Sequence, residues 1–520
     1  MTATTADLHP PSADRLAALT SRVLATSGET VAAMSPVTGQ PLGKVPVSSP
    51  DDVAEAFARA RAAQAEWARV PVAERAEALL RLHDLVLNRQ RDILDLVQWE
   101  SGKTRRDAFE EMCDVALNAR YYARTAHQHL LPTRRAGLFP FLTRTTELRH
   151  PKGVVGVIAP WNYPLTLAIS DALPALVAGN AVVTKPATQT TLSALLAAEL
   201  LTEAGVPEGL WQVVVGPGSR VGTAVLDHAD YICFTGSTET GRQVARRCGE
   251  RLIGCSLELG GKNPLLVLDD ADLDRAAEGA VRGCFANAGQ LCISIERLYV
   301  AASVYDDFVE RFLDRVRSMR LALSFDFGSD MGSLISAEQL AVVTQHVEDA
   351  VAKGATVLAG GRHRPDIGPY YFEPTVLANV TPEMTCYRAE TFGPVVSVYP
   401  VADDDEAVAA ANDSVYGLNA SVFSRDLARA RAVAARLRAG TVNVNEAYVP
   451  AWGSIDSPMG GMGESGLGRR HGAEGLLKFT EAQTIAVQHV PVAPPGGLSY
   501  DTFARGMTVA LRALRKMGRR

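Results

Sequence analysis

Cys292 is the residue of this chain best placed to act as a nucleophile. It follows Asn287, Ala288, Gly289, Gln290 and Leu291, a polar, glycine-containing turn that presents a thiol to a reacting group instead of filling a core. The other six cysteines (Cys113, Cys233, Cys248, Cys255, Cys284 and Cys386) read as small buried hydrophobes, Cys233 most plainly because it lies in Tyr-Ile-Cys-Phe. None of their spacings resembles a metal site. Ten histidines are scattered, and none is tied to Cys292 by chain order, so a Cys/His hydrolase is unsupported. Two runs of small residues follow strand-like segments. The run 216–222 (Gly-Pro-Gly-Ser-Arg-Val-Gly) is one residue too long for the G-x-G-x-x-G dinucleotide fingerprint and reads equally well as a plain strand-to-helix turn. The run 234–241 (Phe-Thr-Gly-Ser-Thr-Glu-Thr-Gly) either offers backbone amides at a helix start to a pyrophosphate or is a helix N-terminus capped by Ser237 or Thr238.

Such segments need a scaffold that brings strand ends together. From 153 to 257, apolar runs (VVGVIAP, AVVTKP, WQVVVG, YICFTG) alternate with helical stretches at 165–177 and 192–204, the rhythm of βαβ units on a parallel sheet. A second alternation from 264 to 445 predicts a second α/β domain, and residues 51–131 carry apolar positions at helical spacing. Residues 137–149 and 480–490 read as extended segments able to pair, and 491–497 as a linker. At 520 residues the chain is long enough for two or three domains of ~150 residues. A 47% apolar, 21% charged composition excludes a disordered chain. Net charge −6 without blocks of like charge excludes a nucleic-acid footprint. No apolar run approaches the ~18 residues of a spanning helix. The polar start and the seven cysteines, too few and odd in number for a disulfide framework, lead us to expect a cytoplasmic protein.

Six motifs in register carry a resemblance. Pro160-Trp161-Asn162-Tyr163-Pro164, Lys185-Pro186-Ala187, Phe234-Thr235-Gly236-Ser237, the stretch 258–264 (Glu-Leu-Gly-Gly-Lys-Asn-Pro), Gly289-Gln290-Leu291-Cys292 and Glu390-Thr391-Phe392-Gly393-Pro394 follow the order and spacing of the aldehyde dehydrogenase superfamily. The resemblance covers about residues 35–490, and within the superfamily the chain is most similar to the NADP-dependent succinate-semialdehyde dehydrogenases. It implies a Rossmann-like cofactor domain (1–136 and 150–258), an α/β catalytic domain (259–479), a β-arm for oligomerisation (137–149 and 480–490) and a tail (491–520). It further implies Cys292 as nucleophile, Asn162 with the Cys292 backbone amide as oxyanion hole, and Glu258 as the base that activates the hydrolytic water. Trp161, Asn162, Lys185, Pro186, Ala187, Thr188, Gly236, Ser237, Leu259, Glu390 and Phe392 become the cofactor contacts, no metal is expected, and Lys262 is assigned a structural role. In NAD-specific members a glutamate usually stands where this chain has Thr188. Its replacement by a hydroxyl beside Lys185 points to NADP, with NAD also possible and Arg220 as a second cation.

The expected substrate is succinate semialdehyde, with a broad-range aliphatic or aromatic aldehyde dehydrogenase as the alternative and a catalytically silent homologue as the reading from another class. Against the narrower substrate stand Ser170 and Ala286, at positions where succinate-semialdehyde enzymes usually carry arginines, and Ser294 in place of a second cysteine. Arg297, Arg469 and Arg470 are the replacement cations to consider, and the long segment 446–470 predicts a reshaped substrate entrance. Partners are expected to be a small-molecule aldehyde and further copies of the chain in a homodimer or homotetramer, with no nucleic acid. The tail helix carries Phe503, Met507, Leu511 and Leu514 on one stripe among arginines. Packing on its own domain or on a neighbouring subunit is favoured there over a membrane surface.

Overall fold

Helices open the chain where the sequence supplies caps. Ser49 and Thr104 each form a reciprocal capping box, with Asp52 and Asp107, and start the helices Pro50–Trp67 and Arg105–Leu130. Between them lie Val72–Asn88 and Gln90–Ser101, whose buried stripes (Leu79, Leu82, Val86; Ile93, Leu94, Val97) face one common core. This computed structural model describes residues 10–138, 142–322, 324–490 and 492–517.

Those helices cover a six-stranded sheet. Its spatial order is Gly466–Leu467, Gly254–Glu258, Tyr231–Thr235, Val154–Ile158, Ala181–Lys185 and Trp211–Val213, with only the first strand antiparallel. The earliest of the parallel strands, Val154–Ile158, sits in the middle and the chain winds outward on both sides. A crevice therefore opens at the carboxyl ends where the order reverses. A second sheet of seven strands, ordered Thr356–Ala359, Thr375–Ala378, Val395–Val401, Ile295–Ala301, Asn263–Val267, Asn419–Phe423 and Thr441–Val444, is parallel apart from its first pair. The two α/β alternations read from the sequence are both present.

The extended segments pair antiparallel from Thr143↔Gln488 to Pro151↔Thr480, and Thr133–Arg135 adds a third strand. The paired strand thus begins at Thr143 and runs through Pro151, and Phe139 and Phe141 of the predicted run lie outside the described residues. Three further differences have physical causes. The helix expected over 165–177 is two, Pro164–Ile169 and Ala172–Val177, because Pro174 cannot donate to the carbonyl of Ser170 and crowds it. Residues 466–479, expected with the second domain, return to the first: Gly466–Leu467 pairs with Leu257 and Glu258, and Leu476 and Phe479 enter the first core. The tail helix Tyr500–Lys516 has no buried residue, although Phe503 and Met507 flank a groove with Leu142, Val490 and Val492 of the arm.

Candidate active site

The cysteine loop is held in an uncommon backbone shape. After the helix Leu273–Phe285, Asn287 (φ 50°) and Ala288 (φ 54°) are left-handed, as is Gly289 (φ 71°). A Cβ on Gly289 would stand 2.1 Å from the Gly393 carbonyl oxygen, so only glycine fits. The Gln290 side chain clamps the loop, accepting from the Ile335 amide at 2.9 Å and donating to the Asn287 carbonyl at 3.1 Å. Asn263 donates to the carbonyl of Cys292 at 2.8 Å. Burial, with the charges of Glu258 and Glu390, pushes the Cys292 thiol up to about 12, so the resting group is protonated. Ser294 does not face the site; its hydroxyl donates to the Gly283 and Cys284 carbonyls.

Glu258 ends its strand 7% exposed, with Oε1 bonded to nothing. Burial raises its carboxyl to about 7 against the opposing charges of Arg470 and Lys478. Asn162, from the loop after Val154–Ile158, donates from Nδ2 to the Gln290 carbonyl at 3.0 Å and is thereby tied to the cysteine loop. Its own carbonyl accepts from Lys103 Nζ at 2.8 Å and Asn287 Nδ2 at 3.0 Å. Lys103 forms a fully buried ion pair with Glu111 at 2.5 Å, and Glu111 also accepts from the amides of Leu165 and Thr166. Lys103 and Glu111 escaped the sequence reading because nothing in a helical stretch distinguishes them from solvated charges; only their burial does.

The predicted cofactor contacts gather at the carboxyl ends of the first sheet. Lys185 is 6% exposed, has no carboxylate partner among the described residues and donates only to the Pro186 carbonyl at 2.9 Å. Burial pushes its ammonium down to about 8. A buried cation without a counter-ion fits an anionic or hydroxyl-rich ligand. Thr188, just past Pro186 and Ala187, donates to the Gly216 carbonyl at 3.4 Å, linking the two βα turns. Gly236 and Ser237 start the helix Thr238–Arg251, and Ser237 does cap it, accepting from the Thr240 amide at 3.3 Å. Leu259 packs against Gly241, where a Cβ would lie 2.6 Å from its side chain.

On the other side of the crevice, Glu390 accepts from the Gly261 amide at 2.8 Å, and burial beside Glu296 lifts its carboxyl to about 8. The Glu296 carboxylate, paired with Lys262, accepts from the amides of Thr391 and Phe392, which gives Lys262 the structural setting expected of it. Phe392 meets Trp161 edge to face at 5.4 Å. Two expectations fail. Arg220 pairs with Glu29 at the surface at 2.8 Å and is committed there. Arg297 is spent on the carbonyls of Lys262, Ala410 and Ala411 behind the sheet, so it offers a substrate nothing.

The comparisons with known proteins bear on this geometry directly. The model of the aldehyde dehydrogenase family matches residues 23–485, which include both sheets, all but the last three residues of the arm strands and every residue described in this section. The chain belongs to the aldehyde dehydrogenase family. It is 57% identical over 481 residues to a protein of Mycolicibacterium smegmatis provisionally named succinate-semialdehyde dehydrogenase, NADP(+), covering 92% of this chain and 93% of that one. It is 36% identical over 468 residues to a glutarate-semialdehyde dehydrogenase of Pseudomonas aeruginosa, covering 89% and 95%. Among solved structures, betaine aldehyde dehydrogenase of Staphylococcus aureus in complex with NAD+ superposes with a TM-score of 0.86 at 32% identity, covering 92% and 95%.

In this member of the family a cavity opens on Cys292 from the side lined by Tyr163, Leu291, Tyr448, Trp452 and Met459. Three of these, Tyr448, Trp452 and Met459, come from the 446–470 segment. Ser170 is buried and donates to Asp114 at 2.8 Å, while Ala286 lies at the rim of the adjoining apolar cluster. Arg469 donates to the carbonyls of Gly461 and Gly468, whereas Arg470 lines the cavity itself.

Proposed function

We propose that the protein oxidises succinate semialdehyde to succinate with NADP, NAD being a poorer alternative, through covalent catalysis at Cys292. The observation that carries the mechanism is the buried Glu258 carboxyl, raised to about 7 with one oxygen unbonded and close enough to Cys292 for its charge to be felt by the thiol. A thiol at about 12 needs a base, and Glu258 takes its proton. The thiolate adds to the aldehyde carbon, and the developing oxyanion receives the second hydrogen of Asn162 Nδ2 and the Cys292 backbone N–H. The chemistry that a dinucleotide bound in the crevice would supply is a hydride acceptor for this adduct. Once Glu258 has passed the thiol's proton on to solvent and is ionised again, it draws a proton from water, which attacks the thioester on Cys292, and the acid leaves as the thiolate is expelled.

Lys185, Thr188, Gly236 and Ser237 hold the adenosine and pyrophosphate side, with Trp161, Pro186, Ala187 and Leu259 walling it. Glu390 and Phe392 hold the nicotinamide side. A 2′-phosphate meets a buried cation and a hydroxyl at Lys185 and Thr188 instead of a carboxylate. The names of the relatives support the substrate, since both semialdehydes carry a distal carboxylate. No helix among the described residues is long and apolar enough to cross a membrane. We place the protein in the cytoplasm as a homo-oligomer joined through the Thr143–Pro151 and Thr480–Gln488 arm. The test is reduced-dinucleotide formation with NADP and NAD on four-carbon aldehydes. Succinate semialdehyde should exceed butanal in kcat/KM by ten- to a hundredfold; equal efficiencies would identify a general aldehyde scavenger.

A further inference from the structure

The cavity at Cys292 carries an unusual set of uncommitted polar groups. The Arg470 guanidinium, on a side chain 10% exposed, makes one loose ion pair, 3.5 Å to Asp171, and no hydrogen bond among the described residues. Asp171 is already engaged by Lys478 at 2.9 Å. A guanidinium offers five N–H donors, so most of those of Arg470 are unused. Beside it, His471 is 4% exposed with Nδ1 unbonded, and burial with the Arg470 charge pushes its imidazole down to about 3, leaving it neutral. Tyr163, also 4% exposed, has an unbonded Oη. Orphaned buried polar atoms are costly to a fold and persist where a ligand completes them. His471 is further held at φ 61°, ψ 171°, a region almost confined to glycine, so the chain bears strain to keep this side chain in the wall.

The two acids in the same wall are committed. Asp114 accepts from Thr166, Ser170 and Asn118, and Glu110 from Tyr448 and Arg282. Two of the three aromatic faces are taken as well, Tyr163 by Lys103 at 3.9 Å and Tyr448 by Arg282 at 5.6 Å, which leaves Trp452 alone to meet a cation. Arg470 lies within reach of the charges of Asp171, Glu258 and Asp114, but none of these carboxylates closes a short pair with its guanidinium.

We infer that Arg470, with His471 and Tyr163, forms the subsite that binds the distal carboxylate of the substrate, and that this set replaces the arginines absent at Ser170 and Ala286. The assignment rests on the proposed semialdehyde substrate. Arg470 pairs the carboxylate, and the Tyr163 hydroxyl and a His471 ring N–H donate to its oxygens, so the aldehyde end is left at Cys292. Because the same guanidinium also lowers the carboxyl of Glu258, a positioning role must be told apart from a binding one.

The experiment compares wild type, Arg470→Met and Tyr163→Phe in the full chain on three aldehydes whose fourth position carries a carboxylate carbon, a methyl carbon or a quaternary nitrogen: succinate semialdehyde, butanal and 3-(trimethylammonio)propanal. Arg470→Met should lose at least tenfold more kcat/KM on succinate semialdehyde than on butanal, chiefly through KM, and should move the cationic aldehyde in the opposite direction. Equal losses on all three, with kcat falling, would mean that Arg470 acts only through Glu258, and the subsite would be withdrawn. Tyr163→Phe removes an oxygen that supports no other group, so it folds even where Arg470→Met does not, and a three- to tenfold loss confined to succinate semialdehyde is expected. A wild-type preference for the carboxylate that survives in every folded variant overturns the subsite alone. No wild-type preference overturns the substrate reading and the subsite together.

Discussion

At the scale of single residues, the chemistry turns on two groups whose protons sit where water would not leave them. Cys292 is a thiol at neutral pH and Glu258 is poised near 7, so each turnover should need the ionised carboxyl. Cys292→Ala should abolish oxidation, while Glu258→Gln should give at most a single burst of reduced dinucleotide and then stall as the thioester. Rapid mixing with mass detection of the acylated cysteine checks both, and unimpaired steady turnover of Glu258→Gln would remove the glutamate from the mechanism. Wild-type deacylation should accordingly rise with pH through about 7. Stability moves the other way. The folded carboxyl lies above its ordinary 4.5, so the native state holds an extra proton between pH 4.5 and 7 and stability falls across that window. Glu258→Gln, which cannot ionise, should therefore be more stable than wild type at pH 8 by up to about 3 kcal/mol, the gap closing toward pH 4.5 in urea titrations. For the cofactor, Thr188→Glu should shift kcat/KM toward NAD by tenfold or more, since a carboxylate would repel the 2′-phosphate beside Lys185.

Elements deliver those residues because buried ion pairs fasten one loop to another. Glu296, on the strand Ile295–Ala301, holds the amides of Thr391 and Phe392 while Lys262 neutralises it, and the Glu390 loop hangs from that pair. Lys262→Met strands a buried carboxylate and should cost about 3–5 kcal/mol. The double variant Lys262→Met with Glu296→Leu should regain much of that stability but keep a raised KM for dinucleotide, because the two amides lose their acceptor. Thermal melts and cofactor titration separate the two effects, and a double variant with wild-type cofactor KM would show the loop to be self-supporting. Lys103 and Glu111 do the equivalent work for the loop of Asn162, joining a helix of the first layer to the oxyanion side of the site.

On the scale of the whole molecule, the arm is a three-stranded sheet whose outer strand, Thr480–Gln488, has an edge unpaired among the described residues and shows Ile485 and Val487 45% and 47% exposed on one face. Such an edge on a stable protein calls for a cover. Ile485→Asp with Val487→Asp should dissociate the proposed oligomer, measured by light scattering after gel filtration. A double variant of unchanged mass would move the interface elsewhere. Return of the chain at 466–479 to the first core has a further consequence. It sets Arg470 and His471 beside Cys292 while Gly466 pairs with Glu258, so one segment shapes the substrate cavity and braces the base at once.

The chain itself determined the two α/β alternations and the motif order, because these depend on local periodicity and on short runs with their own backbone demands, and the roles proposed for Cys292, Glu258, Asn162, Lys185 and Glu390 rest on the resemblance those motifs carry. Caps such as Ser49 and Thr104, and the glycine before Gln290, act within a few residues and leave a mark in the sequence. Burial and long-range pairing leave none. That Lys262 and Lys103 are paired in the interior while Lys185 lacks a counter-ion follows from which strands lie side by side, and three lysines in a sequence look alike. Arg297 and Arg470 were equal candidates for a substrate cation when read as letters. The tertiary structure separated them, since the carbonyls of Lys262 and of the helix Asp404–Asn412 consume the first and the crossing of 466–479 into the other domain brings the second to the cavity at the thiol.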